Sequence, residues 1–158
     1  MLRVLLPVLL LVFTLQSHAQ YEFERKAVLG TIDRFFSAMT ARDSAAMSAT
    51  LLRGGSMHVA SLFGNEDARV VPFQAYLTKL AQGKERLVER YWDADVEMIG
   101  ESMATVVMEY EFHVDGRFSH CGTDLFMLVK GPDGWRIASI AYTRMEGCRD
   151  SLLPPLDR

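Results

Sequence analysis

The stretch that decides the fold is residues 103–144, MATVVMEYEFHVDGRFSHCGTDLFMLVKGPDGWRIASIAYTR. It holds three apolar-rich runs separated by Asp115-Gly116 and by Gly131-Pro132-Asp133-Gly134. Asp-Gly between alternating apolar runs is among the strongest short signals for a β-hairpin. Together with the run before it, this stretch predicts a meander of four antiparallel strands, at Glu89–Ile99, Met103–Val114, Phe118–Lys130 and Trp135–Met145.

Helical signals dominate the chain before the meander. The first helix is predicted over Glu22–Thr40, where Val28, Ile32, Phe35, Phe36 and Met39 recur at helical spacing. Asp43 is a suitable N-cap for a second helix over Ser44–Leu52, ended by Gly54-Gly55, and Met57–Phe63 is a short strand. Pro72 opens a third helix that Gly83 ends. Helices followed by antiparallel strands predict an α+β fold, with about three N-terminal helices on one face of a bent antiparallel sheet.

The hairpin turn predicts which side chains share a face. A two-residue loop at Asp115-Gly116 sets Tyr110 opposite Cys121 and His120 opposite Glu111. The face beneath the helices then contains Tyr110 together with Trp92, Ala94, Val96, Met98, Val106, Met108 and Phe112. The outer face contains Glu109, Glu111, His120 and Asp124. The last two strands are apolar on both faces, so we expect a homodimer formed through the outer face of the sheet.

The N-terminus is typical of a secretory signal. Arg3 precedes an apolar run from Val4 to Leu15, and Ser17-His18-Ala19 is a suitable cleavage site. The run is too short to span a bilayer, although an uncleaved N-terminal anchor is the alternative. We therefore predict a signal peptide at 1–19, a single domain at 20–148 and a tail at 149–158. The mature protein is expected to be periplasmic or secreted, without a membrane contact after cleavage.

Charge and cysteine content limit the partners and the chemistry. The net charge of −3 and the lack of a basic run argue against a nucleic-acid partner. Cys121 and Cys148 are the two cysteines, and an oxidising compartment favours a disulfide between them, with two free thiols as the alternative. The bridge would clamp the C-terminal tail and stabilise the fold by roughly 3–4 kcal/mol. No ligand spacing predicts a metal site, and no glycine-rich loop predicts a cofactor.

The order of elements resembles the nuclear-transport-factor-2-like superfold, in its SnoaL-like and lumazine-binding-like branches. The resemblance lies in residues 40–47, between the first two helices, and in residues 120–124 and 133–137 of the last two strands. It implies a cone-shaped fold whose helices and sheet diverge around an apolar pocket. The superfold includes isomerases, dehydratases, hydrolases, ligand carriers and assembly modules, so the fold alone does not assign an activity.

Two sets of residues are candidates for the site. The first set would line the pocket and donate hydrogen bonds to a ligand, unless its members are core aromatics and a surface charge; it comprises Tyr110, Thr123, Tyr142 and Arg144, with His58 near the mouth. The second set would be an acid–base group if its face were concave, and a solvated or interface cluster otherwise; it comprises Glu109, His120 and Asp124. Ser61 occupies the position that resembles the catalytic carboxylate of the steroid-isomerase members, which argues against that mechanism.

From the sequence we expect an exported, non-catalytic module that binds a small apolar molecule or acts as a dimeric interaction module. One alternative is an enzyme of the same fold, an isomerase, dehydratase or hydrolase of small carbonyl or aromatic compounds. Another is an accessory protein that docks a partner through the outer sheet face. A titratable group with a shifted pKa in an enclosed cavity would favour the enzyme. A large apolar patch left exposed after dimerisation would favour the docking protein.

Overall fold

The computed structural model describes the backbone of residues 5–61 and 68–145, and the side chains of 19–60 and 68–145. Three helices pack on one face of a curved six-stranded sheet, so the predicted fold class is confirmed. The sheet order is β2-β1-β6-β5-β4-β3, with β1 parallel to β6 and every other neighbouring pair antiparallel. The elements are α1 (Leu5–Ala41), α2 (Ser44–Thr50), β1 (Leu51–Ser61), β2 (Arg69–Pro72), α3 (Phe73–Gln82), β3 (Leu87–Ile99), β4 (Met103–Val114), β5 (Arg117–Gly131) and β6 (Gly134–Arg144).

Helix α1 is longer than the sequence pattern predicted, because it begins at Leu5 and continues through the predicted cleavage site after Ala19. Its predicted apolar stripe is buried against the sheet, with Val28 and Ile32 fully inaccessible. Cleavage after Ala19 remains a prediction. Within the part of the chain that the structure describes, no helix is both long and apolar enough to cross a membrane.

Side-chain hydrogen bonds fix the start of α2 and the end of α3. Asp43 is the predicted N-cap of α2, and its Oδ1 accepts a hydrogen bond from the Ala46 amide at 2.8 Å. Arg42 adopts a left-handed φ of 54°, and its guanidinium donates to the carbonyls of Leu80 at 2.9 Å and Glu85 at 2.5 Å. These bonds join the α1–α2 turn to the C-terminal end of α3.

A bulge in β5 changes the predicted register. Val114 lies opposite Arg117 as predicted, but Ser119 is an extra residue, so that Phe112 pairs with His120. Tyr110 consequently lies opposite Gly122, and the predicted pairing with Cys121 is wrong. Because side chains alternate along a strand, one inserted residue moves all the side chains beyond it to the other face. His120 and Asp124 therefore face the helices, where the sequence pattern placed them outside.

A second bulge reorients the start of β3. Trp92 pairs with Glu109 and Asp95 with Val107, so β3 contains one residue more than β4 in this interval. Asp93, within the bulge, has a left-handed φ of 51°. The bulge places Trp92 on the outer face, which corrects its predicted position, and turns Glu89 and Tyr91 toward the helices.

The outer face of the sheet is partly apolar, in agreement with the predicted composition of β5. Val107 and Leu125 are each 43% exposed, and Met127 is 37% exposed. The inner face of the same strands is closed, since Phe126 and Leu128 are buried against the helices. Residues 125–128 of β5 are thus apolar on both faces, and the outward-facing side chains are the exposed ones.

At Gly122 the backbone of β5 lies close to Thr143 of β6. A Cβ added there would overlap the Thr143 carbonyl, the same carbonyl that accepts the Tyr110 hydroxyl at 2.7 Å. We predict that Gly122→Ala lowers the free energy of unfolding by about 1–3 kcal/mol in urea titrations, because the strands must separate. Gly131→Ala is the matched control, since its Cβ would enter open space and should change stability by less than about 0.5 kcal/mol. Equal losses in the two variants would contradict the close packing.

Candidate functional site

A cavity of about 300 Å³ lies between α1, α3 and the concave face of the sheet. Its aromatic and aliphatic wall comes from α1, β1 and the strand centres. Its polar groups come from β2, α3 and β3–β6. Among them, Glu89, His120 and Asp124 face inward because of the two bulges. The polar residues are Arg69, Tyr76, Lys79, Glu89, Tyr110, Ser119, His120, Asp124, Tyr142 and Arg144.

Two carboxyl groups, Glu89 and Asp124, meet in this cavity. Asp124 is 3% exposed, and its Oδ2 has no hydrogen-bond donor among the described residues unless a carboxyl group beside it is protonated. Burial raises the pKa of Asp124 to about 7, although a hydrogen bond with Glu89 lowers it. Burial, followed by the charge of Asp124, raises the pKa of Glu89 well above its usual range. The pair therefore holds a proton at neutral pH, with Glu89 donating to Asp124.

His120 lines the same cavity as the carboxyl pair, as a neutral imidazole. Its ring is 5.0 Å from the Phe112 ring and 5.8 Å from the Tyr110 ring, centroid to centroid. Burial, and then the positive charge of Arg144, lower the pKa of His120 to about 4. Ser119 Oγ is 3.0 Å from Nδ1. A neutral ring in this position can accept one proton and donate another.

The tyrosines add hydroxyl groups to the same wall. Tyr110 is 2% exposed, and its hydroxyl is fixed by the bond to the Thr143 carbonyl. The Tyr142 ring meets the Tyr110 ring edge-on, at 6.3 Å between centroids. Burial raises the pKa of both phenols, so both stay protonated and act as hydrogen-bonding groups.

The structure brings together parts of both predicted sets. Tyr110, Tyr142 and Arg144 of the first set line the cavity with His120 and Asp124 of the second set. The remaining members of the two sets do not line this cavity; they are Thr123, His58 and Glu109.

Those remaining residues lie on the outer face. Thr123 is turned outward by the Ser119 bulge, and its hydroxyl donates to Glu109 at 3.2 Å. His58 lies between the buried Met57 and Val59, so strand alternation points it outward as well. His58 and Thr123 line a separate shallow groove of about 350 Å³ on that face.

Glu89 is the member of the carboxyl pair that the sequence pattern did not indicate, and the cavity-lining Arg69 and Lys79 were missed as well. Uninterrupted alternation from Trp92 through Met98 places Glu89 on the outer face. Only a bulge at Asp93 turns it inward. Aspartate tolerates the left-handed conformation better than most residues, which is the one local signal for this bulge.

The predicted partner of His120 is engaged elsewhere. Glu111 is 6% exposed on the outer side, where Arg90 Nε donates to its Oε1 at 2.6 Å. His113 Nε2 lies 3.2 Å from the same oxygen. This ionic cluster and the cavity are therefore separated by the thickness of the sheet.

The structure describes only one of the two cysteines of the predicted disulfide. Cys121 is 2% exposed and pairs with Met145 just beyond β6. Cys148 lies outside the described residues, so the bridge remains a prediction. Among the residues that the structure describes, no group of three or more His, Cys, Asp or Glu side chains is arranged to hold a metal ion.

A family model that matches most of the chain shows to which family the protein belongs. The model of the family described as Putative lumazine-binding matches residues 23–143, and the chain belongs to this family. It is a member of the nuclear-transport-factor-2-like superfamily, as its sequence pattern indicated. A search of curated proteins found no match.

Solved structures share the fold at low sequence identity. A nuclear-transport-factor-2-like protein of unknown function from Shewanella baltica is 14% identical, with a TM-score of 0.62 over 80% of this chain and 98% of that one. A Novosphingobium aromaticivorans protein with a cystatin-like fold is 17% identical, with a TM-score of 0.65 over 85% and 90%. A Putative Scytalone Dehydratase from the same organism is 11% identical, with a TM-score of 0.66 over 81% and 88%.

The carboxyl pair predicts an unusual dependence of stability on pH. A carboxyl group with a raised folded-state pKa binds its proton more tightly when folded, so the free energy of unfolding falls as pH rises through that pKa. The lowered pKa of His120 acts in the opposite direction, but only below its unfolded value of 6.5. Between about pH 6.5 and 8.5 we therefore expect the free energy of unfolding to fall as pH rises, by at most roughly 1.4 kcal/mol per pH unit and chiefly through Glu89, because Asp124 loses its folded-state proton near pH 7 and adds little to the slope above it.

Urea titrations across this pH range measure the effect. Glu89→Gln should flatten the slope, because it removes one acid and the repulsion that it exerts on the other. Glu97→Gln, on the exposed side of the same strand, should keep the wild-type slope. A wild-type stability that is constant or rises over this range would contradict the buried pair.

Proposed function

We propose that this chain binds a small organic molecule in the cone cavity and catalyses an acid–base reaction on it, as a dehydratase or isomerase of a hydroxy- or oxo-compound. One observation carries the proposal: two carboxyl groups, Glu89 and Asp124, meet inside the cavity, where burial raises the pKa of both. Two carboxyl groups with different proton affinities supply an acid and a base at neutral pH. The proposal replaces the non-catalytic binding module that the sequence alone favoured.

The two carboxyl groups have complementary roles in the proposed reaction. Ionised Asp124 takes a proton from a carbon beside a carbonyl group. Protonated Glu89 gives its proton to a leaving hydroxyl, which departs as water, or returns a proton at another carbon in an isomerisation. The hydrogen bond between the two acids then resets their protonation, so no external acid is consumed.

The other polar groups would orient the substrate. The Tyr142 hydroxyl and the Arg144 guanidinium can stabilise negative charge that develops on the carbonyl oxygen. The neutral His120 ring can pass a proton between substrate and carboxyl pair. Tyr110, tied to the Thr143 backbone, positions the His120 ring rather than the substrate.

The comparisons support a small-molecule site in a general way. The family is described as Putative lumazine-binding, and structural neighbours include proteins whose printed names are Putative Scytalone Dehydratase and Putative Dehydratase. At 11–16% identity these neighbours support the fold alone. The assignment of acid–base chemistry rests on the residues of this chain.

Proton exchange tests the proposal without knowledge of the natural substrate. The full chain is incubated in deuterated buffer with 4-hydroxy-2-butanone, and NMR follows exchange at the carbon beside the carbonyl and formation of the dehydrated ketone. Asp124→Asn should lower the protein-dependent rate by about 10²–10⁴-fold, because it removes the base. Glu97→Gln should leave the rate unchanged. An Asp124→Asn variant as active as the wild type would refute the assignment.

We further propose that the mature chain is an exported homodimer. The signal-like N-terminus and the two cysteines support export, and the exposed Val107, Leu125 and Met127 support a contact through the outer face. The same patch would serve the alternative accessory protein, which docks a different partner.

Native mass spectrometry of the protein from its exporting host, without reductant, tests these points together. We expect a chain that starts at Gln20, a mass lacking two hydrogens through the Cys121–Cys148 bridge, and a dimer. Leu125→Asp should give a monomer, whereas Phe23→Asp, at a 66% exposed apolar residue on α1, should remain dimeric. A wild-type monomer with the outer face exposed would favour the docking protein. A chain that starts at Met1 would contradict export by cleavage.

A further inference from the structure

We infer that the ligand of the cone cavity is a small organic anion, with a carboxylate at the cavity mouth and an apolar, preferably aromatic, body against the inner wall. This inference rests on the proposed function, whose site it shares, and it adds the class of the substrate. Three observations carry it: the cations of the mouth, the state of the acids, and the shape of the apolar wall.

Cations from three different elements line the cavity. Arg69 begins β2, Lys79 belongs to α3 and Arg144 ends β6. Arg69 and Lys79 are exposed, and neither takes part in an ion pair within residues 19–60 and 68–145. The Arg144 charge acts inside the cavity, since it contributes to the low pKa of His120. Elements distant in sequence thus converge on one positively charged opening.

The acids of the cavity do not cancel this charge. Among the described residues, Glu89 and Asp124 are the carboxyl groups that line it, and burial raises the pKa of both, so that the pair holds a proton at neutral pH. The exposed Arg69 and Lys79 therefore face at most a single negative charge from this pair, and Asp124 is buried deep in the wall. The imidazole of His120 is neutral and adds no charge to the cavity. A bound carboxylate would complete the charge balance at the mouth.

The inner wall favours a flat apolar body. Phe35, Phe36 and Phe126 meet edge to face, with Phe126 6.2 Å from Phe35 and 5.8 Å from Phe36. Such a wall accepts an aromatic or unsaturated group and offers it no hydrogen bond. We place the anion of the ligand at Arg69 and Lys79 and its apolar end at these rings, in the same cavity as the carboxyl pair.

A matched pair of probes tests the inference by calorimetry on the full chain. Cinnamate and cinnamamide have the same shape, and only cinnamate carries a charge. We expect cinnamate to bind about tenfold more tightly, with a dissociation constant that rises with sodium chloride concentration. The double variant Arg69→Gln/Lys79→Gln should weaken cinnamate about tenfold and leave cinnamamide unchanged. Arg53→Gln, which replaces an exposed cation away from the cavity, should change neither.

The outcomes separate this inference from the proposed function. If the amide binds as tightly as the carboxylate, or if neither probe binds at millimolar concentration, the anion inference is overturned, and the proton-exchange assay still decides the catalytic proposal. If cinnamate binds through Arg69 and Lys79 but Asp124→Asn leaves proton exchange unchanged, the anion site stands and the catalytic proposal fails.

Discussion

The site depends on the strict alternation of side chains along a β-strand, and on the two places where an inserted residue interrupts it. Ser119 in β5 and Asp93 in β3 each add one residue opposite the regular strand β4. Without the first bulge, Asp124 and His120 would face outward; without the second, Glu89 would do so. The concave face would then be an ordinary apolar core, and the carboxyl groups would be solvated.

Burial of these acids is unfavourable unless they stay partly protonated, and the surrounding packing maintains that state. Aromatic rings from α1 and β5 line the same cavity as the pair, and the Tyr110–Thr143 hydrogen bond joins β4 to β6 across Gly122 of β5. A proton on Glu89 gives Asp124 the donor that its buried oxygen lacks. The same low polarity that destabilises the charged acids keeps His120 neutral. The packing around the cavity therefore determines the protonation of Glu89, Asp124 and His120.

The sequence predicted the elements better than it predicted their faces. The Asp115-Gly116 turn, the Asp43 cap and the apolar stripe of α1 have local signals, and each lies where the pattern placed it. Strand β2 was missed because Arg69–Pro72 is short and largely exposed. The bulges were missed because an inserted residue leaves no mark in composition. Tyr110, Tyr142 and Arg144 were thus assigned to the pocket wall from the sequence, where they lie, whereas His120 and Asp124 were named as candidates but assigned to the outer face.

The parallel pairing of β1 with β6 has a consequence for the order in which the molecule can assemble. In this pairing Met57 lies beside Ile140, which joins residues from opposite ends of the domain. Such a contact has high contact order and forms only after a long loop of chain has closed. The β3–β6 meander can form from neighbouring hairpins, whereas β1, with β2 and α3 attached, can dock only on a completed β6. We therefore expect the wall that contributes Arg69 and Lys79 to be added last, so that the cavity is complete only when β1 pairs with β6.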